Sequence, residues 1–316
     1  MRRFRPNSAL ALLSCSLALV CSMQVATADE LDLDTLVKRF GGDLATAQVS
    51  TETLADGIHV MRATGGAVVA TIGDDGVLLI DDQYPQTATR IQAAIHDLGG
   101  GDVDFVINTH AHFDHADGNA FFGPAGARIL AHENARTYML ETRRLDYAGF
   151  HYRQPPAAKA ALPVLTFDDG ISLHFNGQRV DVRYYGPGHT DGDVAVYLRE
   201  ANIVHVGDLY SGGYPYIDAN NGGSLSGLIA IWRSILDEVD AETQIVAGHS
   251  PVTDKAGAAD YLAMLETVHA RLVQLAANDA DIDAVLAATP TAEFDERRGK
   301  PTLFLTHAYQ TVLAEQ

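Results

Sequence analysis

Along most of the chain, apolar residues come in short dense runs bounded by glycine and aspartate. Between these runs lie stretches with apolar residues three and four positions apart. The runs "AVVATIG" (67–73) and "GVLLIDD" (76–82) flank Asp74-Asp75, which predicts a hairpin. In "TATRIQAAIHDLG" (87–99), Ile91, Ala94, Ile95 and Leu98 share one helical face, and a glycine ends the pattern. "DFVINT" (104–109) reads as a buried strand and "ENARTYMLETRRL" (133–145) as a helix. An amphipathic stretch near Leu31–Phe40 comes before all of these, and "RQPPAAKAALP" (153–163) has the composition of a surface loop.

A second set of strands follows: "PVLTF" (163–167), "ISLHF" (171–175), "RVDVRYY" (179–185), "VAVYL" (194–198) and "NIVHVGD" (202–208). Next come a helix "LSGLIAIWRSILDEV" (225–239), a strand "QIVAG" (244–248) and a long helix from about Asp254 to Ala277. From Ala280 onward the pattern predicts short helices packed on the outside. The chain thus runs through strands and helices twice, in two similar halves. That order predicts an α/β fold in which two sheets pack face to face with helices outside, a four-layer αββα sandwich in a single domain over residues 29–316.

Residues 1–28 are expected to stand apart from this fold. Arg2, Arg3 and Arg5 precede an apolar run from Ala9 to Val20, and Ala26-Thr27-Ala28 offers the small residues that a signal peptidase requires. The run falls short of the roughly 20 residues of a spanning helix, so the expectation is a cleavable signal peptide cut after Ala28. The protein would then be periplasmic or secreted, with no stable membrane insertion. Cleavage removes three arginines and no acid, moving the net charge from −19 to −22. It also removes Cys15 and Cys21, the only cysteines, so the mature chain has no disulfide, thiolate nucleophile or cysteine ligand. With 22 Lys and Arg against 41 Asp and Glu, the surface repels phosphate backbones, which argues against nucleic acid as a partner. A small-molecule substrate is the expected partner.

The chemistry is concentrated in four stretches, each following a predicted strand. They are His110-Ala111-His112-Phe113-Asp114-His115, Gly186-Pro187-Gly188-His189, Gly207-Asp208 and Gly248-His249-Ser250. In extended chain, residues two apart point to the same side, so His110 and His112 can reach one metal ion. His189 fits as the third ligand. A turn after His112 lets Asp114 and His115 serve a second ion, where His249 fits, and Asp208 can bridge the two. Imidazole and carboxylate donors without thiolate suit Zn²⁺, at two ions per chain, with Fe or Mn as possible substitutes. His59, His96, His132, His151, His174, His205, His269 and His307 are left without a role, as is Asp117.

On these residues the chain resembles the metallo-β-lactamase-fold hydrolases. Their signature is H-x-H-x-D-H, a later His, an Asp or Cys, and a final His. The likeness runs from the early hairpins near residue 57 to the helix after His249. It implies that His110, His112 and His189 hold one metal, that Asp114, His115 and His249 hold the other, and that Asp208 bridges them. It also implies hydrolysis by a hydroxide shared between the ions, with Asp114 orienting it as the catalytic carboxylate. Asp208 stands where glyoxalase II and lactonase relatives carry aspartate and one β-lactamase subclass carries cysteine. That subclass also has a lysine soon afterwards to hold the drug's carboxylate, whereas no Lys or Arg occurs here between Asp208 and Arg233.

The expected substrate is a cyclic amide cleaved in a β-lactamase-like reaction. A thioester or lactone, as in glyoxalase II or acyl-homoserine lactonases, is the alternative. A single-iron persulfide dioxygenase or a non-catalytic metal-binding protein stands third. Around the metals, Tyr210, Tyr214 and Tyr216 are expected to form an aromatic wall, with Asn220 or Asn221 as a hydrogen-bond donor and "MRATGGAVV" (61–69) as a flap. Arg297, Arg298 and Lys300 form the only late basic cluster.

Overall fold

A computed structural model of the protein describes residues 28–316. The predicted signal peptide, Ala28 apart, lies outside them. The predicted hairpin forms as written: Val68–Gly73 pairs with Gly76–Ile80 in antiparallel register, closing on Gly73 and Gly76 around Asp74-Asp75. These strands are buried on both faces, which is why they read as continuous apolar runs. Val69, Leu78 and Ile80 face a second sheet, while Val68, Ala70, Val77 and Leu79 face the helix Pro85–Asp97 through its Ala88, Ile91 and Ile95.

The first sheet has seven strands, in the order Leu165–Phe167, Arg128–His132, Phe105–Ile107, Gly76–Ile80, Val68–Gly73, Ile58–Arg62 and Ser50–Ala55. The second has five: Gly170–Phe175, Gln178–Tyr184, Val194–Leu198, Ile203–His205 and Gln244–Val246. Val180, Val182, Val194, Val196 and Val246 of the second pack on Ile58, Val60, Val69 and Ile107 of the first. The outer face of the five-stranded sheet is covered by Leu225–Glu238, Lys255–Ala276 and Thr302–Ala314, which bury Trp232, Leu265 and Phe304. The result is the four-layer αββα sandwich. No described helix is long and apolar enough to cross a membrane.

Several elements differ from the sequence pattern. The helix expected over 133–145 stops at Met139, where the Arg143 guanidinium binds the carbonyls of Tyr138 and Thr137 and so takes up helix-end acceptors. Arg143–Tyr147 is instead a strand, paired with Phe150–Gln154, and Asp29–Leu31 adds to that strand in parallel. This small third sheet joins residues about 120 apart in sequence, a pairing that no local pattern announces. The stretch 153–163 is only partly a surface loop: Gln154 is buried and donates to the Ala111 carbonyl, and Ala161 and Leu162 are buried too. The C-terminal helix Thr302–Ala314 has 13 residues and buries Phe304, Leu305, Ala308, Tyr309 and Val312, so it belongs to the core.

Candidate metal centre

All seven proposed ligands converge at the edge of the sandwich where the strands end. His110 and His112 lie in the loop after Phe105–Ile107, and the short helix Phe113–Ala116 then carries Asp114 and His115. His189 follows Gln178–Tyr184, Asp208 sits in the turn Gly207–Leu209 after Ile203–His205, and His249 follows Gln244–Val246. Gly248 makes this convergence possible. A Cβ there would overlap Asp208 Oδ1 and lie 2.6 Å from His115 Cε1, so a side chain would displace two ligands.

The donor atoms form three groups, each within 4.8 Å: His110, His112 and His189; Asp114, His115 and His249; and His110, His115 and Asp208. The first two are the triads assigned from sequence, and the third places Asp208 between them. Asp208 lies 3.2 Å from His115 Nε2, 3.5 Å from His249 Nε2 and 3.7 Å from His189 Nε2. Asp114 Oδ2 is 3.0 Å from His249 Nε2.

Each of four imidazoles has its outward nitrogen tied to an oxygen, which determines the nitrogen left for a metal. His115 Nδ1 donates to Asp81 at 2.7 Å. Asp81 also accepts from the Thr109 amide and hydroxyl, and that hydroxyl lies 3.0 Å from His110 Nδ1. One buried carboxylate therefore orients a ligand of each triad. To do so Asp81 adopts a positive φ of 61°, rare for a residue with a side chain. His112 Nε2 donates to Asp218 at 3.0 Å and His189 Nδ1 to the Tyr216 carbonyl at 2.7 Å.

These bonds have a consequence for what lies between the rings. A carbonyl and a carboxylate only accept, so the protons of His189 and His112 sit on the outward nitrogens. Their inward nitrogens then face each other with lone pairs, 2.8 Å apart. His110 Nε2 is buried with no hydrogen-bond partner. Burial, with the neighbouring rings of His115 and His189, holds His110 well below the usual imidazole range, and burial beside His112 brings His189 to about 4. Such a set of neutral imidazoles closing on one point fits a cation.

The second triad is electrostatically different. Burial opposes charge on His115, but Asp208, Asp114 and Asp81 outweigh it and raise the ring well above the usual range. Desolvation is likewise overcome at His249, which Asp208 and Asp114 raise to about 10. Asp114 is held at about 2 by His115 and His249 against the opposing effect of burial. Carboxylates that keep protons on two histidines are a setting in which a cation can replace those protons. The residues fit a divalent metal.

Above the ligands lies a cavity of about 310 Å³. His112, Asp114, His189, Asp208 and His249 form its floor, and Leu36, Val37, Phe40, Tyr147, Tyr216 and Leu303 are among its walls. Of the five residues expected near the substrate, Tyr216 alone lines it. Tyr210 packs between Trp232 and Tyr261 in the core, while Tyr214 stacks on Phe304 and bonds Asp295 at 2.7 Å. Asn220 bonds Asp146, and Asn221 braces both oxygens of Asp218, the partner of His112. An irregular loop has no period from which side-chain direction could be read. The segment 61–69 is not a flap: Gly66 N bonds the Asp114 carbonyl, Ala67 N bonds the Gly248 carbonyl, and Val68 and Val69 are buried strand. Thr64 alone of this segment lines the cavity.

Asp117 lines a separate cleft with Pro85, Met139 and Pro156. Arg297 and Arg298 bind Asp260 and do not line the cavity. Among the histidines left without a role, His205 bonds the Ala67 carbonyl and the Gly207 amide and so braces the turn that carries Asp208. Sequence reading missed Asp81, Asp218 and Tyr147. A signal existed for Asp81: two consecutive acids closing an apolar run must be buried, and buried acids need partners.

The description "Metallo-beta-lactamase superfamily" matches residues 64–249. A hydroxyacylglutathione hydrolase of Brucella anthropi is 32% identical over 143 residues, covering 42% of this chain and 45% of that protein. Another, from Rhodospirillum rubrum, is 26% identical over 227 residues, covering 69% and 75% respectively. Among solved structures, a metallo-beta-lactamase of Cronobacter sakazakii superposes with a TM-score of 0.60 at 23% identity, covering 78% of this chain and all (100%) of that one. The sandwich, the histidine–aspartate cluster and a match over more than half of the sequence agree: the chain belongs to the metallo-beta-lactamase superfamily of metal-dependent hydrolases.

Proposed function

We propose that the protein is an exported binuclear-zinc hydrolase that cleaves a carboxylic acyl bond, C–O or C–N, of a small molecule. The observation that carries this reading is the pair of opposed lone pairs on His112 and His189, beside a second triad that shares Asp208 with the first. The relatives named hydroxyacylglutathione hydrolase support acyl hydrolysis, and the N-terminal sequence supports export.

When bound, two zinc ions would supply Lewis acidity, which lowers a water's pKa to about 7 and polarises a carbonyl. His110, His112 and His189 would hold one ion, and Asp114, His115 and His249 the other, with Asp208 reaching both. Asp81 and Asp218 keep the ligand imidazoles in the correct tautomer. Asp114 borders the cavity with a side chain 17% exposed, so its carboxylate can take a proton from attacking water and pass it to a leaving group. No side-chain nucleophile is required.

The test is a panel of nitrocefin, a carbapenem, an N-acyl homoserine lactone and S-lactoylglutathione, offered to zinc-loaded mature protein. Hydrolysis of at least one, lost in Asp114→Ala, is the expected result. Inertness toward all four and toward simple activated esters, with zinc bound, would contradict the reading.

A further inference from the structure

The cavity changes character away from its floor. Its wall is made by Leu36, Val37 and Phe40 of the helix Leu33–Arg39, by Tyr147 and Tyr216, and by Leu303. Among the described residues no lysine or arginine lines it, and the carboxylates that do are the proposed ligands Asp114 and Asp208. Cations close by in sequence are engaged elsewhere. Lys38 pairs with Asp34 at 2.6 Å, Arg39 lies 4.3 Å from the centre of the Phe150 ring, and Arg144 pairs with Asp146 at 2.7 Å. Arg62 lines a different groove, on the side of His249 and Ser250, together with Glu52.

The wall is a fixed part of the fold. Asp29–Leu31 adds to the strand Phe150–Gln154, and Asp32 caps the helix that follows by accepting from the Thr35 amide. Leu36 and Val37 are buried against Tyr84, Phe113 and Leu145. Leu36, Val37, Phe40 and Leu303 also lie outside residues 64–249, the part matched to the superfamily. The floor is thus common to the family match, and most of the wall belongs to this chain's own flanking segments.

We propose that the substrate is a small neutral acyl compound, an ester or lactone, whose hydrocarbon portion packs on Phe40, Tyr147, Tyr216 and Leu303, the accessible residues of the wall, and that substrates carrying a carboxylate on that portion are rejected. This rests on the hydrolase reading above. A scissile carbonyl faces the ligands, so the remainder of the molecule meets the wall. An apolar chain gains by leaving water there, whereas a carboxylate loses its hydration and finds no partner. At about 310 Å³ the cavity sits near the lower end of ligand sites, which span roughly 300–1,000 Å³.

The experiment compares 4-nitrophenyl hexanoate with mono-4-nitrophenyl adipate, which share leaving group and chain length and differ in a terminal methyl against a carboxylate. Zinc-loaded mature protein should show kcat/KM roughly 100-fold or more in favour of the hexanoate. Calorimetry with hexanamide and adipic acid monoamide should rank binding in the same order without any turnover. Phe40→Lys changes an exposed ring, 62% accessible, and should narrow the preference by roughly tenfold. Equal kcat/KM for the two esters, or better binding of the monoamide, would overturn the proposal. Loss of adipate turnover in Arg62→Ala would do so too, by placing an anion handle in the neighbouring groove. If neither ester nor any of the four panel compounds is hydrolysed but hexanamide still binds better, the hydrolase reading falls and the cavity's selectivity stands.

Discussion

The floor and the wall of the cavity are built on different terms. On the floor each proposed ligand is a particular atom at a particular place, and behind three of the histidines stands another particular atom: Asp81 behind His115, Asp218 behind His112, the Tyr216 carbonyl behind His189. On the wall, Leu36, Val37 and Phe40 are held by apolar packing, a single helix cap and three residues of parallel strand. Coordination tolerates few substitutions, whereas hydrophobic contact asks only for size and shape. The floor therefore encodes the reaction and the wall can vary to choose the substrate.

The largest expected effect breaks the floor. Asp114→Asn should lower kcat/KM by roughly 1,000-fold and cut zinc content, measured by kinetics and by metal analysis of dialysed protein. Next in size, Asp218→Ala frees the His112 tautomer and should weaken zinc binding by roughly 10–100-fold in a chelator competition. If that variant binds zinc like the parent, the outward hydrogen bonds do not set the ligands, and the contrast with the wall loses half its basis.

Damage to the wall should register as selectivity and affinity with metal content preserved. Tyr147→Ala removes a ring stacked 5.5 Å from Tyr216 and should raise KM for 4-nitrophenyl hexanoate by roughly tenfold while two zinc ions remain bound. The smallest effect concerns Asp32. Hydrogen bonds from the Thr35 amide and hydroxyl hold its carboxyl below the usual 3.8. Its contribution to the helix is complete above pH 3.8 and fades as pH falls through the lower folded value. Hydrogen exchange should show protection of Leu36 and Val37 amides that is level above that pH, declines below it, and is reduced throughout in Asp32→Ala.

The same contrast explains what the sequence disclosed. The seven proposed ligands stood out because His and Asp are costly to cluster without a purpose and because the stretches that carry them each follow a strand. The dense apolar runs "AVVATIG" and "GVLLIDD", separated by Asp74-Asp75, were enough for the hairpin and, with the order of elements, for the sandwich. What stayed hidden depends on contacts that leave no local pattern. Asp218 lies 106 positions from His112 and looks like any loop aspartate. Tyr210 and Tyr214 share a loop with Tyr216, yet packing against Trp232 and Phe304 turns them to the core. The wall helix was visible as an amphipathic stretch near Leu31–Phe40, but nothing in it named the cavity it closes.

The central claim is a two-metal floor, and metal stoichiometry tests it most directly. Mature protein dialysed against zinc and then freed of excess should retain about two ions per chain, and Asp114→Ala about one. A parent protein that saturates at one ion, or holds a single iron, would contradict the account.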